Sequence, residues 1–424
     1  MATTPIIAKQ ADAKRQTEEL ADVVIAVESR DRRGEPWYVR LRAWLFCLMF
    51  LCIAECGTRI EFDTTLCLRH ERFDNFPNPA ALDAFVGQIK RDPAFRVVVL
   101  GDSVVVGPSL LDKDETIPEY LEVALRRQHP GRDIHVWNLG IAGARSADIY
   151  CVLLKVLEAS PDLLVIENNF MMYAVDFRGQ PISNTWLAYS LPHIPAALTP
   201  FLKQRDYKRA IEDTSTWFVE RNFRLFGLRQ AINGMLFGVQ PRVPFEDPNP
   251  VVMLATVAGK RVGKLPMQSW SRRGQTADSY RSLYLHGGAG LDPVRPNNLN
   301  GRFYPIMMEE LRKRKVPAFF YMTPQNPAML AQYFPNEIYV TNRGAAATFT
   351  SAPDFPSRDY STLVPDQLFY DNDHLLADGN RMVAEAIAKD IQPLLKTALA
   401  PAGKAAQSGS TTVSPGEPER TAHR

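Results

Sequence analysis

Cysteine is scarce in this chain: five among 424 residues, with no Cys-x-x-Cys pair, so neither a zinc site nor a disulfide framework is written into it. Charge of one sign is lacking as well. The 49 Lys and Arg nearly balance 47 Asp and Glu, a formal +2, which argues against a nucleic-acid partner and against a strongly acidic one. There is no Gly-x-Ser-x-Gly pentapeptide, which removes one familiar route to an exposed nucleophilic serine. Uninterrupted apolar runs are short too: the run from Ala43 to Ala54 falls below the ~20 residues that a membrane-spanning helix wants.

What is present is a large core and a regular alternation. Hydrophobic residues make up 46% of the chain, enough for one large domain or two small ones. Strand-like runs at Val97–Leu100, Ile134–Trp137, Leu163–Ile166 and Val316–Tyr321 are separated by amphipathic stretches, such as Ile117, Leu121, Ala124 and Leu125, or Ile149, Val152, Leu153, Val156 and Leu157. Strands alternating with helices in this way predict a mostly parallel sheet covered on both faces, a flavodoxin-like three-layer α/β/α fold. The alternation spans about residues 95–396 and is interrupted at about 174–300 by a long, mostly helical insertion, well beyond an ordinary connection. Helical runs at Tyr207–Glu220 and Asn222–Met235, and Trp186, Trp217 and Trp270, place that insertion as a cover over the catalytic end of the sheet. Residues 397–424, rich in Gly, Ser, Thr, Pro and charge, read as a disordered tail.

The N-terminus differs in kind. Arg30, Arg32, Arg33, Arg40 and Arg42 accumulate before the apolar run, Trp37 and Tyr38 flank it, and Glu55 and Arg59 follow. With those flanks the segment extends to a membrane helix over 41–60. A basic leading flank predicts residues 1–40 in the cytoplasm and the remainder exported across a bacterial inner (cytoplasmic) membrane, with 61–94 as a linker. A cleaved signal peptide and a buried helix of a cytosolic enzyme are the competing readings.

Three stretches carry chemistry. Gly101-Asp102-Ser103-Val104-Val105-Val106-Gly107 follows the apolar strand Val97–Leu100, which puts Ser103 on the turn at its carboxyl end, where open α/β sheets place their sites. Val136-Trp137-Asn138-Leu139-Gly140-Ile141-Ala142-Gly143 reads as strand, Asn-x-Gly-x-x-Gly, helix. Tyr370-Asp371-Asn372-Asp373-His374 precedes a helix marked by Val383, Ile387 and Ile391, with Asp378 or Asn380 as its cap and Pro393 as its end. Together and in this order, these stretches resemble the first, second and last blocks of the SGNH/GDSL hydrolases. That resemblance implies Ser103 as nucleophile, His374 as its base, Asp371 as the group orienting His374, and the N–H groups of Ser103 and Gly143 in the oxyanion hole.

In the third block the chain departs from the family. Pro161-Asp162-Leu163-Leu164-Val165-Ile166 is an acceptable buried strand, but Glu167-Asn168-Asn169-Phe170-Met171-Met172 stands where the family has Gly, one residue, then Asn-Asp. A gapless match puts Met171 at the asparagine, and a thioether donates no hydrogen bond. Either Asn169 or Asn168 supplies the third oxyanion donor through a shortened loop, or that donor is missing. A metal held by Asp371, Asp373 and His374 is the rival reading of the last block, and no second histidine or cysteine cluster lies near it in sequence. His286-Gly287-Gly288-Ala289-Gly290 is similar to an oxyanion motif of α/β-hydrolase lipases, but without a Gly-x-Ser-x-Gly elbow it reads as a loop.

These readings converge on a membrane-anchored, extracytoplasmic SGNH-type serine esterase or O-acyltransferase needing no cofactor and no metal. Its expected substrates are acyl, chiefly acetyl, esters of cell-envelope polysaccharide, with a membrane protein as acyl donor if the reaction is transfer. The alternatives are a catalytically degenerate polysaccharide-binding or assembly protein of the same fold, and a cytosolic lipase or thioesterase.

Overall fold

The computed structural model describes residues 37–61, 67–75, 77–107, 113–173, 181–202, 215, 218–220, 222–229, 269, 294–330 and 336–399. The chain forms two units, Met1–Glu61 and Phe62–Arg424.

Among the described residues of the first unit, helix α1 runs from Trp37 to Ile60. Its 24 residues reach about 36 Å at ~1.5 Å each, enough for a hydrocarbon layer of ~30 Å. Residues Leu41–Ile60 have a mean hydropathy of 1.6, and none of them is buried within the protein. Trp44, Phe46, Phe50 and Ile53 all stand exposed. The helix is therefore long and apolar enough to cross a membrane. An Arg59–Glu55 ion pair at 2.7 Å lies near its C-terminal end.

The second unit is built on five parallel strands. Helix α2 (Pro79–Arg91) leads into β1 (Phe95–Gly101), the short α3 (Ser103–Val106), α4 (Ile117–Gln128), β2 (Ile134–Gly140), α5 (Ser146–Val156) and β3 (Leu163–Asn168). After the insertion come α6 (Phe303–Arg314), β4 (Ala318–Met322), α7 (Asn336–Thr348), β5 (Ser357–Asp359), α8 (Ala377–Asp390) and α9 (Gln392–Ala398). The strand order is β2-β1-β3-β4-β5, and every pairing is parallel. This is the flavodoxin-like order, with its switch point beside β1, so the carboxyl ends of β1 and β3 open onto one crevice.

Alternate residues of β1 to β4 feed two separate cores. Val98, Leu100, Leu164, Ile166 and Phe320 face one side, where they pack with Phe85 and Ile89 of α2, Leu153 of α5 and Met307 of α6. Val97, Val99, Val165, Phe319 and Tyr321 face the other, against Leu121 and Leu125 of α4 and Val383 and Ile387 of α8. The period-2 alternation thus separates two buried faces, as a sheet sandwiched between helices requires.

The structure differs from the sequence reading in several places. The stretch 61–94, expected as a linker, contains α2. Asn78 accepts the Ala81 N–H at 2.9 Å as its cap, with Pro79 in the first turn. Phe85 then packs edge-on against Phe73 and Trp137. Leu82, Phe85 and Ile89 lie at helical spacing and are fully buried, so this segment belongs to the domain. Strands β2 and β3 extend past their apolar runs through Asn138 and through Glu167 and Asn168 because ladder pairing continues there. Strand β5, a polar three-residue edge, carries no apolar pattern to announce it.

Neither Asp378 nor Asn380 caps α8. Asp378 sits inside its first turn, and the Asn380 amide donates to the Glu115 carbonyl at 3.1 Å. Pro393 does not end that helix but lies in the first turn of α9, where a missing N–H costs nothing. Of the insertion, Leu187 and Leu198 are buried in the core, and Trp186 lies 6.4 Å from Phe73. Trp217, Trp270, the His286–Gly290 loop, most of the two helical runs, nearly all of 1–40 and the tail beyond Leu399 lie outside the described residues.

Candidate active site

Ser103 opens α3, directly after the end of β1. Two features fix its turn. The Asp102 side chain caps α3 by accepting the Val104 N–H at 2.9 Å, and the backbone N–H of Asp102 itself is held by Glu167 Oε2 at 2.5 Å. A side chain at position 101 has no room, since a Cβ there would stand 2.1 Å from that same Glu167 oxygen. The glycine before Asp-Ser is thus required by close approach.

The loop before α8 brings up the base. Asp371 Oδ1 accepts the backbone N–H of Asp373 at 3.1 Å and of His374 at 2.8 Å, closing the turn. The loop is tied at its base by Tyr370 N–H to the His374 carbonyl, and Asn326 clasps it through the Asp371 and Asn372 carbonyls. In this turn His374 Nδ1 lies 2.7 Å from Asp371 Oδ2, and Nε2 lies 2.9 Å from Ser103 Oγ. Ser103, His374 and Asp371, 271 residues apart in chain at the widest, form one continuous relay. Asp371 and His374 are 3% exposed, whereas Ser103 is partly open, so Ser103 is the member of the relay that solvent reaches.

Electrostatics stabilise the imidazolium that forms when His374 takes up a proton. Burial alone would raise the Asp371 carboxyl, yet the His374 charge and hydrogen bonds to it and to its backbone hold it below the usual carboxylate range. Burial disfavours imidazolium, but the nearby Asp371 and Asp373 carboxylates outweigh it and push His374 upward. With Nδ1 protonated toward Asp371, Nε2 is left to accept the Ser103 proton. The donor atoms of Asp371, Asp373 and His374 lie within 4.8 Å of one another. A cation would nonetheless find both histidine nitrogens engaged, so this donor set fits a proton relay better than a metal.

Two backbone N–H groups in the Ser103 and Gly143 turns remain without a protein acceptor among the described residues. Gly143 has φ +69°, a left-handed conformation suited to glycine. Its neighbours' N–H groups are all engaged: Ile141 on the Gly101 carbonyl, Ala142 on Asp74 Oδ1 at 2.7 Å, Ala144 on the Ile141 carbonyl. The N–H groups of Gly143 and Ser103 have no protein acceptor among the described residues. Asp74 thus secures the turn that presents Gly143, while Arg72, two residues earlier, donates to the Gly107 carbonyl at 2.9 Å behind α3.

The two asparagines expected at the oxyanion are engaged elsewhere. Asn168 donates to the Ala346 carbonyl of α7 at 3.2 Å and accepts from the Tyr173 hydroxyl at 2.9 Å, an anchor between β3 and α7. Asn169 donates one amide hydrogen to Asp102 Oδ2 at 2.8 Å and the other to Asp373 Oδ2 at 3.0 Å. Its carbonyl accepts the Met171 N–H at 2.9 Å. Both hydrogens are therefore spent on carboxylates, and in this arrangement Asn169 links the nucleophile turn to the histidine loop.

Sequence reasoning passed over Arg72, Asp74, Asp102 and Glu167 as site residues and raised Asp373 only as a rival metal ligand. Glu167 had a signal, as the one charged residue continuing the apolar run Leu163–Ile166. Asp74 had none, because its partner Ala142 is 68 residues away.

No protein-family model matches the chain, and no curated protein sequence matches it. Among solved structures it is similar to Axe2, an acetylxylan esterase from Geobacillus stearothermophilus, at 11% identity and a TM-score of 0.32, covering 70% of this chain and 94% of that one. It is similar to TesA at 14% identity and a TM-score of 0.29, covering 72% and 99%. At such distance the functional reading rests on this chain's own residues and the geometry they make.

Proposed function

We propose that this protein is a serine esterase or O-acyltransferase of SGNH type, anchored by α1 with its catalytic unit outside the cytoplasmic membrane. The observation that carries the reading is the relay Asp371–His374–Ser103, with contacts of 2.7 and 2.9 Å. Ser103 Oγ attacks an ester carbonyl as His374 Nε2 takes its proton. Negative charge on the carbonyl oxygen is met by the Ser103 and Gly143 N–H groups. His374 returns the proton to the leaving alkoxide, and an acyl-Ser103 intermediate remains. Water then completes hydrolysis, or a sugar hydroxyl completes transfer, with His374 again the base. Acetyl esters of cell-envelope polysaccharide suit an enzyme placed at that surface, with a membrane acyl donor in the transfer case.

Purified full-length protein in detergent, given p-nitrophenyl acetate or acetylated polysaccharide, is expected to release acetate. Acetylated acceptor appearing only when sugar is added assigns transfer. No turnover of either kind, with Ser103→Ala behaving as wild type, refutes the reading. A degenerate, carbohydrate-binding protein is the second reading, favoured by the engagement of both Asn168 and Asn169. Polysaccharide binding without any acyl-enzyme would select it. A reporter fused after Arg424 that is active only in the cytoplasm would overturn the anchored topology.

A further inference from the structure

Behind the serine lies a carboxyl group that the relay does not use. Glu167, in β3 opposite Tyr321 of β4, is completely buried. One oxygen holds the Asp102 N–H at 2.5 Å and touches the position a Gly101 Cβ would fill. The other has no hydrogen-bond partner among the described residues. The charged groups acting on Glu167 are the Asp102 carboxyl on the serine turn and the Asp373 carboxyl on the histidine loop. Two buried phenols interact with it as well, Tyr321 on β4 and Tyr304 on α6, and the Tyr304 hydroxyl donates to the Glu167 backbone carbonyl.

A buried anion beside a second anion is strongly disfavoured unless cations or several N–H donors compensate it. Asp102 has such donors: the Val104 N–H and the Asn169 amide. Glu167 has one. With one N–H donor, and its second oxygen without a partner among the described residues, Glu167 is the carboxyl of the two less able to carry a charge.

We propose that Glu167 is a positioning residue for the nucleophile turn and works as a neutral acid that holds the Asp102 backbone. This inference deepens the serine-esterase reading and rests on it. In the neutral state Glu167 holds the backbone N–H of Asp102, the residue that caps α3 and precedes Ser103. Loss of the proton sets two anions against each other beneath that turn and loosens the alignment of Ser103 Oγ with His374. Burial, reinforced by Asp102, keeps the Glu167 carboxyl well above its usual range, in keeping with a proton retained at neutral pH.

The test joins a direct and a functional readout on the full-length protein. Infrared difference spectra of wild type minus Glu167→Gln, at mildly alkaline pH, are expected to show the carbonyl band of a protonated carboxylic acid. Labelling of Ser103 by a fluorophosphonate should stay within about threefold in Glu167→Gln, which keeps a neutral acceptor and donor, and fall roughly 10- to 100-fold in Glu167→Ala through misalignment. The alkaline decline in wild-type labelling should move upward or vanish in Glu167→Gln. Should Glu167→Ala not fold, the glutamine variant and the infrared band decide. Absence of the band, wild-type labelling in a folded Glu167→Ala, or an unchanged alkaline decline in Glu167→Gln overturns the proposal. If wild-type Ser103 is not labelled at all, the esterase reading fails, and the infrared band alone then decides whether Glu167 is protonated.

Discussion

Replacing Asn169 by alanine separates two roles for that residue that differ in kind. In the structure its amide makes two charge-assisted hydrogen bonds, 2.8 Å to Asp102 and 3.0 Å to Asp373, and both carboxylates are buried. Hydrogen bonds to charged groups contribute about 1.5–3 kcal/mol each. The pair shares one donor and so is not strictly additive, which puts the cost of Asn169→Ala at about 3–5 kcal/mol. For a domain of roughly 300 residues that corresponds to a fall in Tm of about 5–8 °C. The sign with pH follows from the same bonds. Asn169 favours the ionised forms of Asp102 and Asp373, so its loss is felt most above neutrality. The loss shrinks as pH falls through about 7, where Asp373, pushed up chiefly by burial, takes a proton. Thermal unfolding of the full chain at mildly acidic and mildly alkaline pH, run beside ester turnover, measures both effects. An unchanged Tm with kcat reduced about 10²- to 10³-fold is the signature of a lost oxyanion donor, and would refute the bridging role.

Asp371→Asn leaves the loop in place but disturbs the histidine tautomer, and turnover should fall about 10⁴-fold with little change in KM; steady-state kinetics on a soluble acetate ester checks this. Asp373→Asn keeps an acceptor for Asn169 and removes a carboxylate whose folded-state value is raised from 3.8 to about 7. A raised acid loses stability as pH climbs through that window, so the variant should be more stable on the order of 2–4 kcal/mol above pH ~7 and show no gain at acidic pH, by denaturant titration. Asp74→Ala frees the Ala142 N–H and the turn presenting Gly143; kcat should drop roughly 10- to 100-fold at near-constant KM, and Asp74→Asn, which still accepts, should restore most of it.

How far the sequence spoke for itself depended on whether the signal was local. Four strands and the flanking helices showed in apolar periodicity because each strand buries alternate residues in two cores. Ser103, Asp371 and His374 were legible because each sits in a short motif whose backbone conformation is set nearby, by the Asp102 cap and by the Asp371 turn. Helix α2 had a helical apolar pattern that went unread beside the stronger membrane signal. The roles of Asn168 and Asn169 could not be read from sequence, since the groups to which their amides donate lie 67 to 204 residues away. Asp74 and Glu167 act on residues 68 and 65 positions distant, through contacts that exist only once the sheet has assembled.

The most direct measurement is the site of covalent modification by a fluorophosphonate, read by peptide mass spectrometry on the folded full-length protein. One adduct on the peptide carrying Ser103 is expected, lost in Ser103→Ala and strongly slowed in His374→Ala. A folded protein that forms no adduct, or forms one equally well without Ser103, would contradict Ser103 as the nucleophile.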